Sequence, residues 1–300
     1  MTFLNLHVTV HVTHGARLRR GMPMREQPEA GSTPPDAGHA DEDARRALYG
    51  TYRSTFKAAK AAKAAQAAKA ALHASAAPSS SLSLSLSSSF LWWDHKYLPL
   101  LHDLDRAAPI LDLGCGDGSL LAYLGRRGFS HAQGIDISAE QVAAARARGA
   151  RAELADVFDF LPRHREGFAA IIAADLFEHF SLAELVRLGP LVYAALRPGG
   201  RLLLQTANGA GLFPRQVIYG DLTHRTILTP ESLQQWLRPC GFVGFRFYET
   251  GPIPVRLRGR LNLALWRLIK LGANAMRDIE AGKRQAIWTE NFLSLAYKPG

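Results

Sequence analysis

Cysteine is scarce in this 300-residue chain: Cys115 and Cys240 are the only two and lie far apart. No disulfide framework can be built from them, and the pattern suits a reducing, cytoplasmic setting in which both are ordinary thiols. Long apolar runs are missing too. No stretch reaches the roughly 18 uncharged apolar residues that a membrane-spanning helix needs, so no transmembrane segment is expected. Arg17, Arg19 and Arg20 follow the apolar residues of Met1–Val12 instead of preceding them, which is the wrong order for a signal peptide. Concentrated charge of one sign is also lacking. The net +10 divides into 12 basic against 7 acidic residues over 1–100 and 24 against 19 over 101–300, so nucleic acid is not an expected partner.

Patterned hydrophobicity is sparse before residue 90. The stretch Met22–Asp43 is rich in Pro, Gly, Ala and acids and cannot bury enough apolar surface to offset its ordering entropy. Lys57–Ala77 is Ala-rich with spaced lysines and is helical by propensity; Ser79–Ser89 alternates Ser with Leu and reads as a low-complexity linker. The division expected is a low-complexity, largely disordered extension over 1–90 and one folded domain over 91–300.

From Tyr97 onward, apolar runs alternate with helical segments, the pattern of a βαβ sheet. Ile110–Leu113 is a short apolar strand that ends in Gly114-Cys115-Gly116-Asp117-Gly118, and a helix start follows. Glycines permit a tight turn and close approach to a ligand, and the helix N-terminus offers amide donors. The second strand, Ala132–Ile137, carries Asp136 twenty-two residues after Gly114, placed to accept from ribose hydroxyls. Asp156 follows a third strand over Arg151–Leu154 and is placed to meet an adenine amino group. The fourth strand, Gly167–Ala174, runs into Asp175-Leu176-Phe177-Glu178-His179. Helix Leu182–Leu196 then leads through Pro198-Gly199-Gly200 into strand Arg201–Gln205. Any one of these signals has a structural explanation. Ordered on successive strand ends, they mark a cofactor site at the carboxyl edge of an open α/β sheet.

The third glycine comes one residue too early for the dinucleotide fingerprint Gly-x-Gly-x-x-Gly. The run Ile110–Gly118, followed in order by Gly134-Ile135-Asp136-Ile137-Ser138, Ala155-Asp156-Val157, Asp175–His179 and Leu196–Gly200, instead resembles the class I S-adenosylmethionine-dependent methyltransferases over some 200 residues. The resemblance implies an α/β doubly wound, seven-stranded, mostly parallel sheet, with strand six over Gly241–Glu249 and an antiparallel strand seven over Asn291–Tyr297. It implies S-adenosyl-L-methionine as cofactor. Gly114 and Gly116 would pass its methionine portion, with Asp112 and Cys115 in the same motif. Asp136 and the adjoining Ile137 would serve the ribose, Asp156 and Val157 the adenine, and Ala174 and Asp175 the fourth-strand wall.

An activated methyl needs chiefly an aligned acceptor and a dry site, and a hydroxyl acceptor gains from a base. The Asn/Asp-Pro-Pro-Tyr arrangement of amino-group methyltransferases is absent after strand four, where Asp175-Leu176-Phe177-Glu178 stands. After strand five, Asp221 and His224 are close enough in sequence to pair in a turn, and an imidazole steered by a carboxylate is a suitable base. The segment resembles bacterial family members that methylate glycans and small molecules on oxygen, so a small-molecule acceptor, a sugar or glycan precursor first, is expected. A quinone-like lipid and a non-catalytic binding module are the alternatives. Glu178-His179 forms a rival pair. No metal ligands are assigned. The segment 255–270 alternates Arg256, Arg258, Arg260, Arg267 and Lys270 with leucines; a solvated helix face is the simplest reading, and contact with a membrane surface or an anionic substrate is the other.

Overall fold

The computed structural model describes residues 81–300; the expected extension before residue 81 and its Ala/Lys-rich helix lie outside the described residues. Two helices open the fold, α1 (Ser81–Lys96) and α2 (Leu98–Leu101). The alternating Ser/Leu segment is therefore helical from Ser81 and not a linker. Its helix is anchored by its last turns: Phe90 and Trp93 pack on Tyr123 with ring centroids 5.4 and 5.2 Å away, and Asp94 accepts from Tyr123 Oη at 2.7 Å and pairs with Arg127. A helix pinned by three aromatics at one end extends back through residues of adequate propensity at little further cost.

The remaining elements alternate: β1 (Ile110–Leu113), α3 (Ser119–Arg126), β2 (Ala132–Asp136), α4 (Ala139–Ala147), β3 (Ala152–Leu154), α5 (Val157–Phe160), β4 (Phe168–Ala174), α6 (Leu182–Ala195) and β5 (Leu196–Ala207). They are followed by α7 (Arg215–Tyr219), α8 (Pro230–Leu237), β6 (Val243–Glu249), α9 (Leu257–Ala281) and β7 (Asn291–Tyr297). The seven strands are ordered β3-β2-β1-β4-β5-β7-β6, with β7 antiparallel to both neighbours and the rest parallel. This is the doubly wound, mostly parallel architecture expected.

β5 is longer than the expected Arg201–Gln205. Leu196 already pairs with Phe168, residues 197–200 loop out, and pairing resumes at Arg201 with Ala170. Apolar side chains cover both sheet faces, as a parallel sheet requires. One face carries Leu111, Leu113, Ile171, Leu202 and Phe292 against α6 and α8; the other carries Ile110, Ile172, Leu203 and Leu295 against α1, α2 and α3. Arg201, at the entry to the regular part of β5, fastens α2 to the sheet by a two-pronged pair with Asp103 at 2.6 and 2.7 Å. The order reverses between β1 and β4, so the crevice at their carboxyl ends is where such a sheet binds its ligand.

Candidate active site

The turn after β1 is built from left-handed residues: Gly114, Gly116 and Gly118 have φ of +68°, +54° and +72°. A Cβ on Gly114 would lie 2.7 Å from Leu176 Cδ1, so the turn from β1 and the turn from β4 are in contact. Asp136 ties this loop to β2, accepting from Gly116 N at 2.9 Å and Ser138 N at 2.8 Å. Its place at the carboxyl end of β2, beside the loop, is the one expected of a ribose-holding acid. Ile137 and Leu154 stand 53% and 51% exposed at the neighbouring strand ends, an apolar rim suited to a flat purine.

Three of the expected residues differ in detail. Asp156 spends one oxygen capping α5, accepting from Phe158 N at 2.8 Å. Val157 is buried in the core, so only its backbone borders the crevice. Cys115 is also buried, and desolvation pushes its thiol far above the usual range, with Asp112 and Asp136 adding to the effect. It is a packing residue whose backbone shapes the loop.

Acids surround this crevice. Asp112 is buried within β1, and the charges of Asp175, Asp112 and Glu178 add to burial in raising the Tyr97 phenol. Asp175 follows β4 with φ of +52°, a left-handed conformation unusual outside glycine. Gln205 Nε2 donates to both of its carboxylate oxygens at 3.0 Å, and Gln205 Oε1 accepts from Tyr97 Oη at 3.3 Å. A cationic sulfonium fits this electrostatic setting. The residues present therefore fit S-adenosylmethionine.

Beyond Asp175 a 3-10 turn, Phe177–His179, buries Glu178 and His179. Burial, then the Asp175 charge, pushes the Glu178 carboxyl well above its usual range, although Thr206 Oγ1 donates to it at 2.9 Å. The segment after β5 is strapped across this turn: Arg225 N and Thr226 N donate to the Glu178 carbonyl at 2.7 and 3.1 Å, and Thr226 Oγ1 donates to the Phe180 carbonyl at 2.6 Å. The strap brings His224 onto His179, ring centroids 4.9 Å apart and tilted by 62°.

The expected pairing of Asp221 with His224 takes another form. Asp221 Oδ1 accepts from Thr223 N at 3.0 Å and Thr223 Oγ1 at 2.6 Å, and that hydroxyl lies 2.9 Å from His179 Nδ1. His224 is held instead through Nδ1 by the Ile218 carbonyl at 3.1 Å; its link to Asp221 is a backbone one, 3.3 Å long. A four-residue turn leaves Asp221 facing inward to Thr223, and the intervening Thr is the signal that reading two residues at a time overlooks. The fold thus joins both candidate pairs, Glu178-His179 and Asp221/His224, into one cluster. Gln205, Thr206 and Tyr97 complete its surroundings without any signal of their own in the sequence.

Residues 110–200 match the family model described as "Methyltransferase domain". Among proteins of related sequence, the ubiquinone biosynthesis O-methyltransferase of Xylella fastidiosa (strain 9a5c) is 28% identical over 181 residues, spanning 50% of this chain and 72% of that protein. The mitochondrial ubiquinone biosynthesis O-methyltransferase of Rattus norvegicus is 29% identical over 199 residues, spanning 50% of this chain and 56% of that protein. Among solved structures, a SAM dependent methyltransferase from Archaeoglobus fulgidus aligns with a TM-score of 0.55 at 17% identity, covering 71% of this chain and 94% of the other, and shares the fold.

Proposed function

Because this chain is a class I S-adenosylmethionine-dependent methyltransferase, we propose that it methylates a hydroxyl of a phenolic, quinone-like acceptor held at a membrane surface. The bound donor supplies an already activated methyl group. The chain's own residues hold and shield it. Asp136 takes the ribose, the Gly114–Gly116 loop borders the methionine portion, and Asp112 and Asp175 favour the sulfonium charge. The acceptor hydroxyl is activated at the imidazole pair His179 and His224, with Asp221 acting through Thr223 to orient His179.

The observation that carries the choice of acceptor is α9. Leu257, Leu261, Leu265, Leu268, Met276 and Ile279 recur at three-, four- or eight-residue steps and form one face, about 33 Å long. All are exposed, Leu257 at 83% and Ile279 at 88%. The opposite face is the one that packs: Trp266 Nε1 and Lys270 Nζ donate to Glu249 Oε2 at 3.2 and 2.8 Å, and Ala273 is buried. A leucine stripe aimed away from its own domain and flanked by Arg258, Arg260 and Arg267 fits the boundary of an anionic bilayer. No helix among the described residues is long and apolar enough to cross a membrane, so the helix would lie in the surface.

Glu249 ends β6 at the same sheet edge as the candidate site. Gln285, just past α9, donates to the Ala210 carbonyl at 2.6 Å, next to the strap. The relatives named for ubiquinone biosynthesis support this acceptor class over a sugar. The test compares S-adenosylhomocysteine formation with a prenylated catechol in anionic vesicles, the same catechol without its tail, and a hexose. The prenylated catechol should give the highest kcat/KM. Reversing Arg256, Arg258 and Arg260 to Glu should raise KM only for the vesicle-borne acceptor. Turnover of the hexose with none of either catechol would refute the reading.

A further inference from the structure

We propose that the cavity at the outer edge of β6, between α1–α2 and α9, binds a small aromatic carboxylate at a site separate from the methyl-transfer crevice. The inference goes beyond the acceptor reading above and does not depend on it.

β6 is the last strand of the sheet, and three strand spacings, about 14 Å, set it apart from β4, where the donor crevice opens. A cavity of about 420 Å³ lies along it, a volume in the range of small-molecule sites. Its apolar walls include Pro99 and Leu100 of α2 and Phe247 and Tyr248 of β6; its cations are Lys96, from the end of α1, and Lys270 of α9. Lys96 turns to β6 while the next residue, Tyr97, turns to Gln205 on β5, so the Tyr97 ring separates the cavity from the crevice.

The walls are fastened to one another. From α1, Trp92 Nε1 and Lys96 Nζ donate to the Thr250 and Glu249 carbonyls at 3.1 and 2.8 Å. From α9, Lys270 Nζ donates to the Glu249 carboxylate and, at 2.9 Å, to the Ala286 carbonyl. The cavity is therefore set before a ligand arrives, which spares that ligand part of the ordering cost of binding.

The charges that line it do not cancel. The Glu249 carboxylate is fully engaged: Oε2 accepts from Lys270 Nζ and Trp266 Nε1, and Oε1 accepts from Trp288 N at 2.9 Å. Lys270 is paired in this way. Lys96 forms no ion pair among the described residues and donates to a neutral carbonyl. Its ammonium is half-buried, and desolvation lowers its pKa while the Glu249 charge opposes that shift. An anion in the cavity would offset the desolvation by direct pairing. Two ammonium groups against one carboxylate leave a surplus of one positive charge, which a single negative charge balances. The rings of Phe247 and Tyr248, with Pro99 and Leu100, suit a flat apolar body. A ring bearing one carboxylate meets both requirements, whereas a bare inorganic anion meets only the first.

The experiment is calorimetric titration of naphthalene-2-carboxylate into the full chain, beside its neutral analogue naphthalene-2-carboxamide and inorganic phosphate. One saturable site per chain is expected for the carboxylate, with the carboxamide and phosphate each at least tenfold weaker. Saturating S-adenosylhomocysteine together with catechol should leave that affinity within twofold. Lys96→Met keeps the length of the stem and removes a half-buried charge, so it should remain folded and bind the carboxylate at least tenfold more weakly. The comparison of carboxylate with carboxamide on the wild type decides the question even where the variant does not fold. No saturable binding, equal binding of the carboxamide, or undiminished binding by folded Lys96→Met would overturn the proposal. Phosphate binding as tightly as the carboxylate would overturn the aromatic class, and competition by S-adenosylhomocysteine or catechol would place the ligand in the crevice and overturn the separate site.

Discussion

Gly114→Ala isolates what the turn after β1 contributes. The substitution meets two separate penalties. The first is backbone: φ of +68° lies in the left-handed region, where a Cβ costs roughly 1–2 kcal/mol. The second is steric: the new Cβ would stand 2.7 Å from Leu176 Cδ1. Leu176 is half-buried against the core, so moving its side chain aside adds a packing cost beside the turn that carries Asp175 and Glu178. Gly149→Ala supplies the control. Its φ is +80° and nothing lies within 4 Å of the added carbon, so it bears the first penalty alone. For a domain of this size 1 kcal/mol is worth about 2–4 °C in Tm. We expect Gly149→Ala to lower Tm by about 3 °C with S-adenosylmethionine affinity unchanged. Gly114→Ala should lower it by about 6 °C and weaken donor binding roughly tenfold, the equivalent of about 1.4 kcal/mol. Thermal melts and calorimetric titration read both. Equal melts and equal affinities for the two variants would refute the claim that the β1 and β4 turns form one contiguous site.

Three further outcomes follow from the geometry. Tyr97→Phe removes the phenol that reaches Gln205 Oε1 and should cost about 1 kcal/mol in a urea unfolding curve; a change under a few tenths would show that this buried hydroxyl is not part of the Gln205–Asp175 chain. The Arg201 guanidinium holds the Asp103 carboxyl down to about 2. Its stabilisation is therefore present above the unfolded value near 3.9 and is lost as pH falls through 2. Asp103 is half exposed, which limits the loss in Asp103→Asn to about 1 kcal/mol at pH 6, and the gap between wild type and variant should close by pH 2; a gap constant with pH would count against the pair. Leu268→Asp and Ile279→Asp alter exposed residues of α9 and should move stability by no more than about 0.5 kcal/mol while abolishing sedimentation with anionic vesicles. A large loss of stability would mean that this face is covered by protein.

The cofactor half of the molecule was legible because its signals are local. Gly114, Gly116 and Gly118 stand where the backbone needs a positive φ, Asp136 stands at a strand end, and strand periodicity placed β1, β2 and β4, and the family resemblance β7, within a residue or two. The rest depended on contacts between distant parts of the chain. Ser81–Ser89 looks like a linker because nothing in its own composition reports that Phe90 and Trp93 will dock on Tyr123. The Asp221–His224 pairing failed for a similar reason. Proximity in sequence does not reveal that Thr223 turns inward toward His179, forty-four residues earlier. The Glu178–His179–His224 cluster was hidden because its members lie on two loops that meet only when the strap crosses the 3-10 turn. On α9 the residue types were evident, but which face packs was not: Trp266 and Lys270 turn to Glu249, and that leaves the leucines outward.

The most direct test of the central claim is calorimetric titration of S-adenosylmethionine and S-adenosylhomocysteine into the full chain, with Asp136→Ala as the comparison. The account predicts saturable binding of both by the wild type, lost or strongly weakened in Asp136→Ala while the variant remains folded. A folded wild type that binds neither, or an Asp136→Ala variant that binds both as well as the wild type does, would contradict it.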